Sequence, residues 1–316
     1  MQASMQQKTL IVLGVGGTIA GLASDAGRPQ RYVAGQLPVQ QLLAGVPLPP
    51  GCSVQAEQVA QIDSKDMDLA VWQALLQRCR HWLAQPQVQG LVVTHGTDTL
   101  EETAWLLQAL LAPQRPVVLT CAMRPANAPD ADGPGNLRDA LLVAATEGAR
   151  GVVAVCAGRI LGAADVQKVH SWRLDAFDAG DAGDIGQVRA GQVRCGRAWP
   201  KPVAADPAVF ERFLAASELP WVEIVFRHAA AGAAGVDALL AHGGLRGLVV
   251  AGTGGGTVHH ALHAALQRAR QQGVRVWRTT RCVHGGVPPD PAAELPAVEL
   301  PPAKARLALM LELLAA

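Results

Sequence analysis

Charge of one sign is what this sequence has least to spare. Lys and Arg number 27 against 26 Asp and Glu, a formal net charge of +1 at pH 7. Without a surplus of either sign there is no electrostatic case for binding nucleic acid or an anionic membrane. No stretch approaches the ~18 apolar residues of a membrane span. Residues 1–8, MQASMQQK, lack the basic start and apolar run of a secretory leader. There is no CxxC pair. The six cysteines, Cys52, Cys79, Cys121, Cys156, Cys195 and Cys282, are scattered and form no cluster with histidine at metal-ligand spacing. They are expected to be small buried residues in a reducing compartment. A cytoplasmic protein is the expectation, although a processed chain would look the same.

Half of the 316 residues are hydrophobic, enough for a sizeable core and two domains. Short β-branched runs alternate with longer helical patterns. Strands are expected at 10–13, 55–61, 91–94, 117–120 and 152–155, most of them nearly continuous in apolar residues, as in strands covered on both faces. Helices are expected at 67–83, 100–111 and 137–146, where apolar residues recur every three or four positions. A βα series of this kind predicts a mostly parallel sheet. Residues 189–207 are rich in Gly, Pro and Arg, which suggests a connection. The pattern resumes with strands at 221–226, 247–251 and 274–278 and helices near 236–241, 258–270 and 303–314. The expected organisation is an N-terminal α/β domain over 1–188, a linker over 189–215 and a smaller α/β domain over 216–316.

Three stretches can carry chemistry, each with a plain structural alternative. LGVGGTIAG at 13–21 is a glycine-rich turn leaving a strand. It is not a P-loop, because Gly17-Thr18 is followed by Ile19 rather than completing Gly-Lys-Ser/Thr, and it misses the third glycine of a dinucleotide fingerprint. The glycines can instead simply close a turn. THGTDTLEE at 94–102 falls where a strand meets a helix, so Thr97 or Asp98 can serve as N-cap ahead of acids in the first turn. Yet ligands of parallel sheets bind outside the carboxyl ends of strands, and Thr18 and Thr97 both sit at such ends. In DVQKVHS at 165–171, Lys168 is either a solvated surface group or, turned inward, a partner that activates a hydroxyl. Threonine needs that help, being a poor nucleophile at neutral pH.

Taken together, these stretches resemble the bacterial L-asparaginases, the type I and type II amidohydrolases that use a threonine nucleophile. The likeness rests on GGTIAG at 16–21, IDSKDM at 62–67, THGTDTLEETA at 94–104, AMRP at 122–125, DGPGNL at 132–137 and DVQKVHS at 165–171, with the tail PAKAR at 302–306. It implies a flavodoxin-like, doubly wound N-terminal domain and a smaller C-terminal α/β domain. It also implies hydrolysis of the asparagine side-chain amide through a threonine acyl-enzyme, without metal or organic cofactor.

By the same resemblance Thr18 is the nucleophile and Tyr32, the only tyrosine, hydrogen-bonds it from a lid over 22–30. Thr97, Asp98 and Lys168 complete the catalytic group. Gly17, Ser64, Lys65, Gly96, Thr97 and Asp98 contact the substrate, and Glu294 or Asp290 serves a partner subunit's site in a homodimer or homotetramer. The chain departs from the family at three places. Val15 replaces a second threonine, Lys65 follows Ser64, and Gly252-Thr253-Gly254-Gly255-Gly256 lacks an asparagine that completes the ammonium pocket. Those departures leave room for glutamine, D-asparagine or other small amides. A non-catalytic amino-acid sensor would not need the Thr18, Thr97, Asp98 and Lys168 set. An ammonia-supplying subunit for tRNA amidotransfer would normally carry an added domain.

Overall fold

A computed structural model describes residues 8–25, 31–202, 206–288 and 293–316. The chain divides into two compact units, 1–205 and 206–316.

In the first unit, β1 (Lys8–Gly16) is followed by the short β2 (Leu22–Ala23) and β3 (Tyr32–Val33), α1 (Val39–Leu42), β4 (Cys52–Ile62) and α2 (Leu69–Leu83). Then come β5 (Val88–Thr94), α3 (Leu100–Leu111), β6 (Val117–Thr120), α4 (Gly133–Ala145), β7 (Val152–Cys156) and β8 (Arg159–Gly162). The unit ends with β9 (Gln167–Lys168), β10 (Phe177–Asp178), β11 (Gly186–Arg189) and β12 (Gln192–Cys195). One eight-stranded sheet runs in the order β12-β11-β8-β7-β6-β5-β1-β4. From β4 to β7 the pairing is parallel, and the β8, β11 and β12 end is antiparallel.

The apolar runs explain the burial. Every residue of β1 after Lys8 is buried, as are all of β6 and β7, because helices cover the parallel strands. Helix α3 buries Leu100, Ala104, Leu106, Leu107 and Leu110, and Leu10, Val12, Val92, Val118, Leu137 and Leu141 pack into one cluster. The order β4-β1-β5-β6-β7 is that of a flavodoxin-like sheet. Its direction of winding reverses between β1 and β5, where such sheets open a crevice at their carboxyl edge.

In the second unit, α5 (Pro207–Ala215), β13 (Val222–Phe226), α6 (Ala234–His242), β14 (Gly247–Gly252), α7 (His260–Gln271), β15 (Arg275–Thr280) and α8 (Pro302–Ala315) build a smaller α/β layer. Its parallel sheet has the order β13-β14-β15. Leu248, Val250, Leu262, Leu266 and Val276 form its core.

Several expectations need correcting. Residues 189–215 are not a bare linker: they hold the turn and second strand of the β11–β12 hairpin, and α5. The cysteines are not all buried, since Cys52 is partly exposed and Cys195 and Cys282 are exposed. Helix α3 is capped by neither Thr97 nor Asp98. Thr99 takes the N-cap position, which releases the two preceding side chains for other partners.

Candidate active site

The carboxyl ends of β1, β4 and β5 meet. After Gly16 the chain turns at Gly17, φ 81°, into a single 3-10 turn at Thr18–Ala20. After Thr94 it runs through His95-Gly96-Thr97-Asp98. The two loops approach backbone to backbone: a Cβ on Gly17 would lie 2.2 Å from the Gly96 Cα, and one on Gly96 would lie 2.4 Å from Ser64 Oγ. Only glycine fits either position, and the left-handed φ at Gly17 demands it a second time. The residue after each glycine is a threonine, and both threonines line one cleft.

Ser64, in the 3-10 turn that follows β4, locks this junction. It is 2% exposed, its Oγ accepts the Asp98 N–H at 3.2 Å, and its carbonyl accepts the Thr99 hydroxyl at 2.9 Å. These bonds set the orientation of the loop that carries Thr97 and Asp98.

Two polar groups face the cleft. In the first, Thr18 Oγ1 and Tyr32 Oη are 2.7 Å apart. Tyr32 stands on β3, paired antiparallel with β2, and Asn127 ties that ribbon down by bonding both the N–H and the carbonyl of Ala23 at 2.8 Å. In the second, Lys168 Nζ donates to Thr97 Oγ1 at 2.8 Å and to Asp98 Oδ1 at 2.6 Å. Thr97 is 6% exposed, whereas the Asp98 side chain is half exposed, so the ion pair is solvent-screened on its acid side. Lysine thus holds a buried hydroxyl and a carboxylate at fixed distance. Thr18, Tyr32, Thr97, Asp98 and Lys168 share a cleft of about 610 Å³.

Its far wall comes from residues that motif reading did not assign. Met123, Arg124, Asp130, Ser171 and Trp172 complete the lining. Arg124 donates to Asp130 at 3.1 Å and to the Trp172 carbonyl at 3.0 Å, and lies 5.9 Å from the Trp172 ring centroid. Behind it, the Asp132 carboxylate accepts the N–H groups of Met123 and Arg124. Asn136 bonds the Cys121 carbonyl and the Ala157 N–H, joining the ends of β6 and β7. The AMRP and DGPGNL motifs were the available signal, but contacts across 48 residues have no local spacing to betray them.

Other expected positions lie elsewhere. Lys65 is held by Asp63 at 3.0 Å and Asp66 at 2.8 Å on an exposed turn and does not line the cleft. Val15 is buried within β1. Glu294, in the second unit, is exposed, accepts a bond from Gln267 and lies 3.0 Å from His263 Nε2. Asp290, and residues 26–30 of the expected lid, fall outside the described residues. His95, the first residue after β5, is fully buried and donates Nδ1–H to the Gly96 carbonyl at 2.8 Å. Burial pushes its pKa down to about 4, so the ring is neutral near pH 7. Among the described residues, no three His, Cys, Asp or Glu side chains are placed to hold a metal, and no helix is long and apolar enough to cross a membrane.

Comparison with known proteins covers both units. A family model described as "Asparaginase, N-terminal" matches residues 9–201, and one described as "Glutaminase/Asparaginase C-terminal domain" matches residues 221–315. The chain is 35% identical to L-asparaginase 2 of Bacillus subtilis, over 96% of this chain and 81% of the relative. It is 34% identical to a glutaminase-asparaginase of Pseudomonas fluorescens, over 96% and 86%. The crystal structure of a probable cytoplasmic L-asparaginase from Campylobacter jejuni superimposes with a TM-score of 0.87 at 34% identity, covering 98% of this chain and 96% of that one.

Proposed function

The chain belongs to the asparaginase family, and from that premise we propose that it hydrolyses the side-chain amide of L-asparagine to L-aspartate and ammonia. One observation carries the reading: two buried threonine hydroxyls face one cleft, one bonded to a tyrosine and the other to a lysine–aspartate pair. A nucleotide-binding turn would not need them, and a sensor would not need two activated hydroxyls.

Thr18 Oγ1 attacks the amide carbon; its proton passes along the short bond to Tyr32 Oη as Tyr32 gives up its own toward the amide nitrogen, which leaves with that proton as ammonia. Backbone N–H groups of the Gly96–Thr97 turn stabilise the developing oxyanion, and ammonia leaves a β-aspartyl ester on Thr18. Thr97, held by Lys168 Nζ, then orients the water that attacks the ester carbonyl; as the ester bond breaks, the water's proton passes to Thr18 Oγ1, which restores the hydroxyl and frees aspartate. Asp98, anchored through its N–H on Ser64, takes the substrate's α-ammonium on the free side of its carboxylate. Gly17 and Gly96 let the two loops close on each other so that their backbones and threonines meet one substrate, and Ser64 orders the loop that receives its α-carboxylate. Lys65 contributes no contact, because its two acidic neighbours hold it.

The protein works in the cytoplasm as a homo-oligomer, as the named Campylobacter relative and the implied family assembly suggest. Gel filtration of the active enzyme tests the assembly: a fully active monomer would refute it. The activity is tested by ammonia release from L-asparagine, D-asparagine and L-glutamine. Turnover of L-asparagine well above the other two is expected. No release from any of them sinks the assignment, and glutamine turnover equal to asparagine makes the enzyme a glutaminase-asparaginase like the Pseudomonas relative.

A further inference from the structure

Lys168 is placed by an unusually small element. Strand β9 is two residues long and pairs only with the two residues of β10, Lys168 opposite Phe177 and Gln167 opposite Asp178, outside the eight-stranded sheet. Two-stranded ribbons are marginal by themselves, yet Lys168 Nζ sits at hydrogen-bonding distance from both Thr97 and Asp98. An external tie is required to hold the ribbon against the loop.

That tie is visible. The backbone N–H of Lys168 donates to Glu101 Oε2 at 2.7 Å, across 67 residues of sequence. Glu101 lies in the first turn of α3, the helix that opens immediately after Thr97 and Asp98. The same rigid segment therefore presents the groups that Lys168 Nζ serves and the carboxylate that fixes the Lys168 backbone. The lysine is held at both ends by residues within four positions of one another, and its reach is set by that span.

We propose that Glu101 is a positioning residue for the reaction: by fixing the Lys168 main chain it sets the place of Nζ over Thr97 and Asp98. The inference rests on the role assigned to Lys168 above. It competes with a plainer role, since an acid in the first turn of a helix stabilises the helix by charge alone. The two roles predict opposite orders for two conservative variants. Glu101→Asp keeps the charge but withdraws the carboxylate by one methylene, ~1.5 Å. Glu101→Gln loses the charge but keeps an oxygen at full reach.

The experiment measures kcat and KM for L-asparagine, with thermal midpoints, for Glu101→Asp, Glu101→Gln, Glu101→Ala and Lys168→Ala. Positioning predicts that Glu101→Asp and Glu101→Ala lose roughly 10- to 100-fold in kcat with KM within about 2-fold, since misplacement near 1 Å costs on that order. Glu101→Gln is expected within about 3-fold of the unaltered enzyme. An inverted order, with the aspartate variant more active than the glutamine variant, overturns the proposal. So does a loss that falls on KM. If Glu101→Asp does not fold, equal losses in the alanine and glutamine variants overturn it as well. Near-normal turnover of Lys168→Ala would instead refute the role of Lys168, a failure distinct from that of Glu101.

Discussion

Strands β5 and β14 are both buried inner strands with a parallel neighbour on each side, and both run out into turns that contain glycine. After β5 comes His95-Gly96-Thr97-Asp98; after β14 comes Thr253-Gly254-Gly255-Gly256. The glycines answer different demands. Gly254 has φ 54° and open space where a Cβ would stand, so it serves backbone conformation alone. Gly17 and Gly96 are squeezed against each other, and Gly96 also against Ser64, and that contact brings two threonines from separate strand ends to one place. In the second unit the Thr253 hydroxyl accepts a bond from Arg227 at 3.2 Å, and Arg278 donates to the Gly255 carbonyl at 3.1 Å, which fixes the turn's shape. A glycine-rich strand end is therefore not itself a sign of a site. Close approach of two of them is.

Four measurements can break or sharpen this contrast. The largest effect is expected from Thr18→Ala and Thr97→Ala. Each should lower kcat for asparagine by about 10³-fold or more, as expected when a member of an interdependent catalytic group is removed. Near-normal turnover in either variant would return that threonine to a structural role. Next, Gly17→Ala should destabilise the protein by about 3 kcal/mol or more, because left-handed strain and overpacking against the Gly96 backbone combine. Gly254→Ala should cost only about 1 kcal/mol, the left-handed term alone. Urea unfolding of both variants checks the difference, and equal midpoints would remove the distinction between the two turns.

The third concerns pH. The His95 pKa falls from 6.5 in the unfolded chain to about 4 in the fold, so between those values the unfolded chain holds the extra proton. Stability due to this group is complete above pH 6.5 and declines as pH falls to about 4, by up to about 3 kcal/mol. Below that the loss levels off. Unfolding midpoints measured across the window should show the slope, and His95→Gln should remove it. An unchanged slope in that variant would place its origin elsewhere. The smallest effect is expected for Lys65→Gln: KM for asparagine should stay within about 2-fold, because Asp63 and Asp66 already hold the ammonium on an exposed turn. A several-fold rise in KM would restore Lys65 to the substrate.

How far these features could be read in advance depended on the range of the forces involved. β6 and α3 fall at the expected 117–120 and 100–111, because continuous apolar residues and a three- to four-residue repeat report local burial directly. The short antiparallel strands carry no such local signal. β8, β11 and β12 have four residues each, and β12 is largely exposed, so no strong apolar alternation marks them. Their hairpin turns on Ala190 and Gly191, both left-handed, inside a stretch whose glycine and arginine content suggested a connection. At the site, Thr18, Thr97, Asp98 and Lys168 stood in motifs and now share a cleft. Capping, the plain alternative for Thr97 or Asp98, is not what they do: both side chains bond Lys168, and Thr99 stands at the cap position. Arg124 and Trp172 could not be paired beforehand, since a carbonyl accepts from any donor that reaches it and leaves no trace in residue type.

The bonds made by Asp132 and Asn136 have a consequence for how the cleft can change. Asp132 grips the main-chain N–H groups of residues 123 and 124, and Asn136 grips the main chain at 121 and 157. None of these grips involves the side chain of Met123 or Arg124, although both side chains form the wall. The loop's path is thus decoupled from the side chain at position 123, but not from that of Arg124, which bonds Asp130 and the Trp172 carbonyl. For anyone redesigning substrate preference, position 123 is an interchangeable tile on a fixed frame, whereas Asp132, Asn136 and the Arg124 side chain, with its bonds to Asp130 and the Trp172 carbonyl, are the frame.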